Sequence, residues 1–441
     1  MGSSVLIDQP PTMAMTKQGT EGASEQRLPR VLFLVHRMPY PPDKGDRIRS
    51  YQLLRRLAAT SRVTLACLAD EPWSAQAADH LRDLCEDVAI VRLNAGRWFN
   101  GGWSLLRGQT LTEGLFQSSQ LRRWITAKAR HEPFDGVVAF CSSMGPYLNL
   151  PALRQCPVVV DLVDVDSEKF AQYAVAGRGW KKRIYDCEAR RLAIVERKLA
   201  ERAHAVLLVT EAEAQLCRHK TGAANVYAVG NGIDLTEFDR PVSAPARACE
   251  VTFVGAMDYK PNVEGALWFA KEVWPGVRRQ RPEAEFRIVG RRPVAAIQAL
   301  QGVNGMTVHA NVPDVRPYLW SARAALAPLH VARGVQNKVL EALACRTPVI
   351  ATSAALEGLA VSRGVSALEA NHPDEWISAV VGQLQQSDHV LKDQGEQARR
   401  DAIQHGSWES QLAKFDQLLQ ESMTVSISGQ GDRMSQRGGA C

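Results

Sequence analysis

Thirteen short apolar runs, each followed by turn residues and spaced by longer segments with 3.6-residue periodicity, constrain this 441-residue chain more than any other feature. Seven come first: Val31–His36, Val63–Leu68, Val88–Leu93, Val137–Cys141, Val158–Val163, Ala205–Thr210 and Val226–Val229. Six follow: Val251–Gly255, Glu285–Val289, Met306–His309, Ala324–Pro328, Pro348–Ala351 and Val365–Glu369. Runs without polar alternation are buried on both faces, which requires parallel sheets covered by helices. The pattern predicts an α/β protein with two doubly wound parallel sheets. Between the two sets, Asn231-Gly-Ile-Asp234 predicts a left-handed turn, and residues 239–250 have linker composition. The expected plan is a structureless extension over 1–28, a first domain over 29–234, a linker over 235–250 and a second domain over 251–405. A helix over 406–422 follows, with Trp408, Leu412, Phe415, Leu418 and Leu419 at helical spacing, and then a structureless tail over 423–441.

At 45% hydrophobic composition the chain can bury two cores. Its net charge of +6 favours anionic ligands or membrane surfaces, and nothing in it resembles a nucleic-acid-binding module. Nine scattered cysteines with no C-x-x-C pair read as thiols of a reducing compartment. No apolar stretch reaches the ~18 residues of a membrane span, and residues 1–28 lack the apolar block of a signal peptide. The expectation is a cytoplasmic protein with peripheral contact to an anionic membrane. Two segments suit that contact. Arg178–Arg202 interleaves cations with Trp180, Ile184, Leu192, Val195 and Leu199, and reads either as a lipid-facing surface or as a solvated helix face. Asn94–Leu115, with Trp98, Phe99 and Trp103 among glycines, reads as a mobile acceptor or membrane loop.

Four stretches carry chemistry. Arg333-Gly-Val-Gln-Asn-Lys338-Val-Leu-Glu341 reads as a helix opening at Gly334, whose free N–H groups and dipole suit a phosphate, with Glu341 two turns on to accept from ribose hydroxyls. Val335, Val339, Leu340 and Leu343 on the same helix read as core. The loop after the first strand holds Gly45, Arg47 and Arg49, and fits either an anion site or a surface loop capped by Asp46. The fifth run contains Asp161 and leads into Asp164 and Asp166, carboxylates that suit metal binding, general base work or acceptor hydroxyls, or else helix capping and salt bridging. Gly255 and Lys260 open the second domain, with Gly255 fitting either ligand approach or tight packing. No G-x-G-x-x-G follows the first run, which argues against a dinucleotide-dependent oxidoreductase.

Glu341 before Ala-Leu-Ala and Pro348-Val-Ile resembles the nucleotide-sugar clamp of the group 1 (family 4) glycosyltransferases, and Asn231-Gly-Ile-Asp234 is similar to their domain junction. The family's E-x7-E pattern is incomplete, because Arg333 stands where the first acid belongs. Together with His36-Arg-Met-Pro-Tyr-Pro-Pro-Asp-Lys-Gly-Asp-Arg-Ile-Arg49 and Asp161-Leu-Val-Asp-Val-Asp-Ser-Glu-Lys169, these phrases look like sugar transferases of bacterial exopolysaccharide and exosortase (PEP-CTERM) gene clusters. The resemblance implies a GT-B fold, two facing Rossmann-like domains with an interdomain cleft, whose last helix returns to the first domain. It implies a retaining hexosyltransferase that takes a UDP- or GDP-sugar donor and a lipid-linked glycan acceptor, without metal or other cofactor. The donor would meet Gly255, Lys260, Arg333, Gly334, Asn337, Lys338 and Glu341, with Gly45 and Arg47 opposite; Arg49, Asp161, Asp164 and Asp166 would meet the acceptor. Lys260, Glu341 and Asp164 are the expected catalytic residues, with cations beside the diphosphate offsetting charge as the glycosidic bond breaks. A sugar-nucleotide epimerase of the same architecture and a non-catalytic nucleotide-sugar-binding protein are the competing readings.

Overall fold

A computed structural model describes residues 27–43, 45–93, 97–176, 178–330, 336–357, 359 and 361–437. The chain divides into two units, Met1–Val229 with Leu412–Cys441, and Gly230–Gln411.

The first unit holds β1 (Arg30–Val35), β2 (Arg62–Ala69), β3 (Asp87–Arg92), β4 (Gly136–Phe140), β5 (Val158–Val163), β6 (Ala205–Leu208) and β7 (Val226–Ala228). All pair in parallel in the order β3-β2-β1-β4-β5-β6-β7. Leu32 lies between Thr64 of β2 and Val137 of β4, and every residue of β1 is buried. The order reverses between β1 and β4, and such switch points open a crevice at the carboxyl ends of the strands. The second unit repeats the design with β8 (Glu250–Val254), β9 (Glu285–Gly290), β10 (Met306–Ala310), β11 (Ala324–Ala327), β12 (Val349–Ala351) and β13 (Ala367–Glu369). Their order is β10-β9-β8-β11-β12-β13, again parallel, with the reversal between β8 and β11.

Each predicted run overlaps one strand, with local differences. Val365 is 44% exposed and precedes β13, because the chain turns at Gly364 with φ +81° before pairing begins. Neither Asn231 nor Gly232 adopts the expected left-handed turn. Gly232 is needed for a close crossing instead: a Cβ there would lie 2.3 Å from the backbone nitrogen of Trp408, and Ile233 N–H donates to Gly406 O at 2.7 Å. Asp234 then caps a short helix, Leu235–Phe238, inside the expected linker, its Oδ1 accepting from Thr236 and Glu237 N–H at 3.0 Å each.

The final helix spans Trp408–Arg437 and so continues through most of the tail expected to lack structure. From Leu412 onward it belongs to the first unit, burying Leu412, Phe415, Leu418 and Leu419, with Asp416 accepting from Arg56 Nε at 2.7 Å. The Met423 side chain lies beside Gly136 of β4, so packing extends beyond residue 422. Asn94–Leu115 is also not a loop where it is described: helices span Arg97–Leu106 and Leu111–Leu115. Residues 94–96 and the side chains of Trp98 and Phe99 lie outside the described residues. Eight cysteines are free, and Cys441 lies outside the described residues. Among the described residues no helix is long and apolar enough to cross a membrane.

Candidate donor and acceptor sites at the two switch points

In the second unit, β8 ends at Val254 and its loop leads into a helix, Lys260–Trp268, with Pro261 in its first turn. This helix lies tight against the chain leaving β11, since a Cβ on Gly265 would stand 2.4 Å from Pro328 O. Trp268 also meets His330 edge-on at 4.5 Å between ring centroids. Pro328 and His330, where the chain leaves β11, are thereby packed against this helix.

Asn262 ties this corner together. Its side chain is 4% exposed, its Nδ2 donates to Ala256 O at 2.9 Å, and its Oδ1 accepts from Lys338 Nζ. A Cβ on Gly255 would lie 2.7 Å from Asn262 Nδ2, so packing alone accounts for this glycine. Gly290, at the end of β9, is more severely constrained, because its Cβ would fall 1.6 Å from Gly255 O. Asn262 is the residue that sequence reasoning missed; the available signal was an amide inside the first helical turn, where such side chains compete with the backbone unless held.

Lys338 and Glu341 come from the helix Asn337–Ala344, which buries Val339, Leu340, Ala342, Leu343 and Ala344. Their spacing of three puts both half-buried charges on the opposite face. Lys338 Nζ stands 5.1 Å from the centroid of the Phe253 ring, within cation–π range. Burial lowers the Lys338 pKa to about 8, while the Glu341 charge acts the other way. Burial correspondingly raises the Glu341 carboxyl, with Lys338 opposing. Burial thus disfavours the charged form of each, and an anion beside Lys338 would favour its protonated form. The helix begins at Asn337, later than the expected Gly334; Arg333, Gly334 and Val335 lie outside the described residues. Asn337 is exposed in the first turn, and neither its backbone N–H nor that of Lys338 has an acceptor among the described residues. Lys260 is 83% exposed at the start of its own helix, where its Nζ lies 3.6 Å from Glu264.

In the first unit the helix Gly45–Thr60 starts at the β1 switch point. A Cβ on Gly45 would meet no atom within 4 Å, so nothing among the described residues demands a glycine there. Asp46 is not a helix cap. It accepts from Arg37 Nη1 at 2.9 Å and lies 3.5 Å from His36 Nε2, and these contacts hold its carboxyl well below the ordinary range, His36 most of all. His36 stacks on Phe140 at 5.9 Å, and its Nδ1 is buried with no hydrogen-bond partner among the described residues. Arg47 bridges Asp43 at 3.0 Å and Glu71 at 2.8 Å, beside a cavity of about 280 Å³ lined by Met38, Tyr40 and Trp73.

Two expected acceptor residues are occupied elsewhere. Arg49 and Asp161 are 1% and 0% exposed; Arg49 Nε donates to Asp161 Oδ2 at 2.9 Å and Nη2 to Val229 O at 2.8 Å. Asp161 Oδ1 accepts from Val163 N–H at 3.0 Å, stabilising the left-handed φ of +69° there. This corrects their assignment: they lock the interior of the first unit and do not face a ligand. Asp164 is exposed at the strand end, and Asp166 accepts from Ser142 Oγ at 2.8 Å. Burial raises the Asp166 carboxyl. Among the described residues no three His, Cys, Asp or Glu side chains are grouped to hold a metal ion.

Two family models match the chain: the glycosyl transferase 4-like domain over residues 44–232 and glycosyl transferases group 1 over residues 248–386. Solved structures with the same fold include sucrose-phosphate synthase of Thermosynechococcus elongatus, 17% identical, covering 90% of this chain and 100% of that one at a TM-score of 0.59. HepE of Anabaena in complex with UDP and glucose is 14% identical, with 89% and 100% covered and a TM-score of 0.56. TarM of S. aureus is 10% identical, with 90% and 100% covered and a TM-score of 0.59. A search of curated protein sequences returns no match. With one model on each parallel-sheet unit, and with these neighbours in its fold, the chain belongs to the group 1 glycosyltransferases and is an enzyme of the GT-B type.

Proposed function

We propose that the enzyme moves a hexosyl group from a UDP- or GDP-sugar, with retention of configuration, to a lipid-linked glycan in exopolysaccharide assembly. The observation that carries this reading is the half-buried Lys338, held by Asn262 at the β8 switch point with Glu341 on the same helix face. Lys338 and Lys260 would take the diphosphate, together with Arg333, Gly334 and the N–H groups of Asn337 and Lys338, while Glu341 accepts from ribose hydroxyls. Side-chain cations would then do the neutralising work without a metal. HepE, a structural neighbour, has been seen with UDP and with UDP-glucose, which supports a uridine nucleotide. In the first unit, the open Gly45, together with Arg47, would face the donor phosphates, and Asp164 and Asp166 would face the acceptor. As the bond breaks, charge grows on the leaving phosphate, whose oxygen takes the acceptor proton on the same face.

Thermal-shift screening of UDP-, GDP- and ADP-sugars tests the donor site, since a ligand bound only by the native form raises the melting temperature. Product stereochemistry with a polyprenyl-linked sugar then tests transfer. Glu341→Ala and Lys260→Ala are expected to abolish transfer while melting like the parent. Full turnover by both would remove the proposed clamp, and an inverted product would remove retention.

A further inference from the structure

The helical hairpin between β5 and β6 carries a charge pattern that the sugar-transfer chemistry does not use. Residues 169–185, Lys-Phe-Ala-Gln-Tyr-Ala-Val-Ala-Gly-Arg-Gly-Trp-Lys-Lys-Arg-Ile-Tyr, contain five Lys or Arg and no Asp or Glu, against a net +6 for the whole chain. Arg178, Lys181, Lys182 and Arg183 are all exposed, and among the described residues none has a carboxylate partner. Large apolar groups stand among them: Trp180 is 68% exposed, Val175 84% and Tyr173 46%. Tyr173 is backed by Phe170 and Tyr185, with ring centroids 5.8 and 5.9 Å away, so three aromatic rings cluster beside the tip.

We infer that this tip is a docking surface for an anionic lipid bilayer. Unpaired cations around a Trp and a Tyr match the headgroup region, where amphipathic rings sit and phosphates neutralise Lys and Arg. A second copy of the chain is a poor occupant, because self-pairing would oppose two sets of unpaired cations. The first helix, Asp166–Ala176, starts where Asp166 bonds Ser142 beyond the carboxyl ends of β4 and β5, and its 11 residues span about 16 Å. The tip therefore stands about one short helix from the candidate acceptor residues, a reach suited to a headgroup-borne sugar. The inference deepens the lipid-linked reading, and its test uses no donor.

The test is co-sedimentation of the full chain with phosphatidylcholine vesicles containing 30% phosphatidylglycerol or none, at about 0.1 M salt. The parent is expected to bind the anionic vesicles and to leave the neutral ones. Lys181→Glu/Lys182→Glu/Arg183→Glu should weaken partitioning by about a hundredfold or more, whereas reversing the exposed Lys271, Lys392 and Arg400 should change it little. Trp180→Ala removes a ring that is 68% exposed and should weaken binding severalfold, which keeps the test decisive if the triple variant folds poorly. Equal loss in both triple variants, or no binding to anionic vesicles, overturns the inference. So does binding of soluble polyphosphate as tight as vesicle binding and indifferent to Trp180→Ala. Thermal shift by UDP-sugars without lipid reports separately on the donor site, so the two readings fail independently.

Discussion

The close approach of Gly255 to Asn262 can be measured by a double-mutant cycle. Gly255→Ala places a methyl 2.7 Å from Asn262 Nδ2. Gly255 has no left-handed φ, so the cost is contact alone. Asn262 must move, which breaks its bonds to Ala256 O and Lys338; overpacking of this kind costs about 1–3 kcal/mol. Asn262→Ala alone removes an acceptor from a charged amine, about 1.5–3 kcal/mol. In the double variant the obstruction is gone and the bonds are already lost, so stability should stay near that of Asn262→Ala. The expected interaction is therefore a recovery of at least about 1 kcal/mol relative to the sum. Equilibrium urea unfolding of the parent, both single variants and the double variant reads it. Additivity within about 0.5 kcal/mol would refute the argument, and would leave close ligand approach as the reason for the glycine.

Gly45→Ala is the counterpart: with open space at its Cβ, it should melt at or slightly above the parent, yet lose donor binding in the same thermal-shift assay if the Gly45 loop approaches the donor phosphates. Lys338, with its pKa near 8, is charged below that value and loses charge above it; UDP-sugar affinity should fall about tenfold between pH 7 and 9 by calorimetry, and Lys338→Arg should flatten that dependence. Arg49→Met strands a fully buried Asp161 and should cost the first unit about 3–5 kcal/mol in urea unfolding, with Asp161→Asn added to it recovering part of the loss.

Most strands were legible because they are apolar runs with little polar alternation, the direct trace of burial on both faces, whereas β9 and β10, in Glu-Phe-Arg-Ile-Val and Met-Thr-Val-His, alternate and keep one side partly open to water. The helix carrying Lys338 and Glu341 was legible for a similar reason, since its apolar residues sit on one face. Asn231-Gly232 misled because a glycine serves two ends, left-handed backbone and close crossing, and the partner in this crossing, Trp408, lies 176 residues away in sequence. Arg49 and Asp161 misled because two opposite charges near strand ends look alike whether they face a ligand or each other. For Asn262 the only local signal was an amide in the first helical turn; its role depends on Lys338, 76 positions later, and no local pattern records a hydrogen bond across two loops. The helix past residue 422 was hidden by weak apolar periodicity, its contact with Gly136 coming through Met423.

One unit is contiguous in sequence and the other is not, since Leu412–Cys441 completes the unit begun by Met1–Val229. On a ribosome the seven-stranded sheet emerges early yet waits for its last partner. Until Leu412, Phe415, Leu418 and Leu419 are made, the surface they cover stays open to water. The six-stranded unit, all of whose residues emerge before that, can finish first. A chain cut before Leu412 would therefore hold every residue of the six-stranded unit beside a seven-stranded one that lacks its last helix.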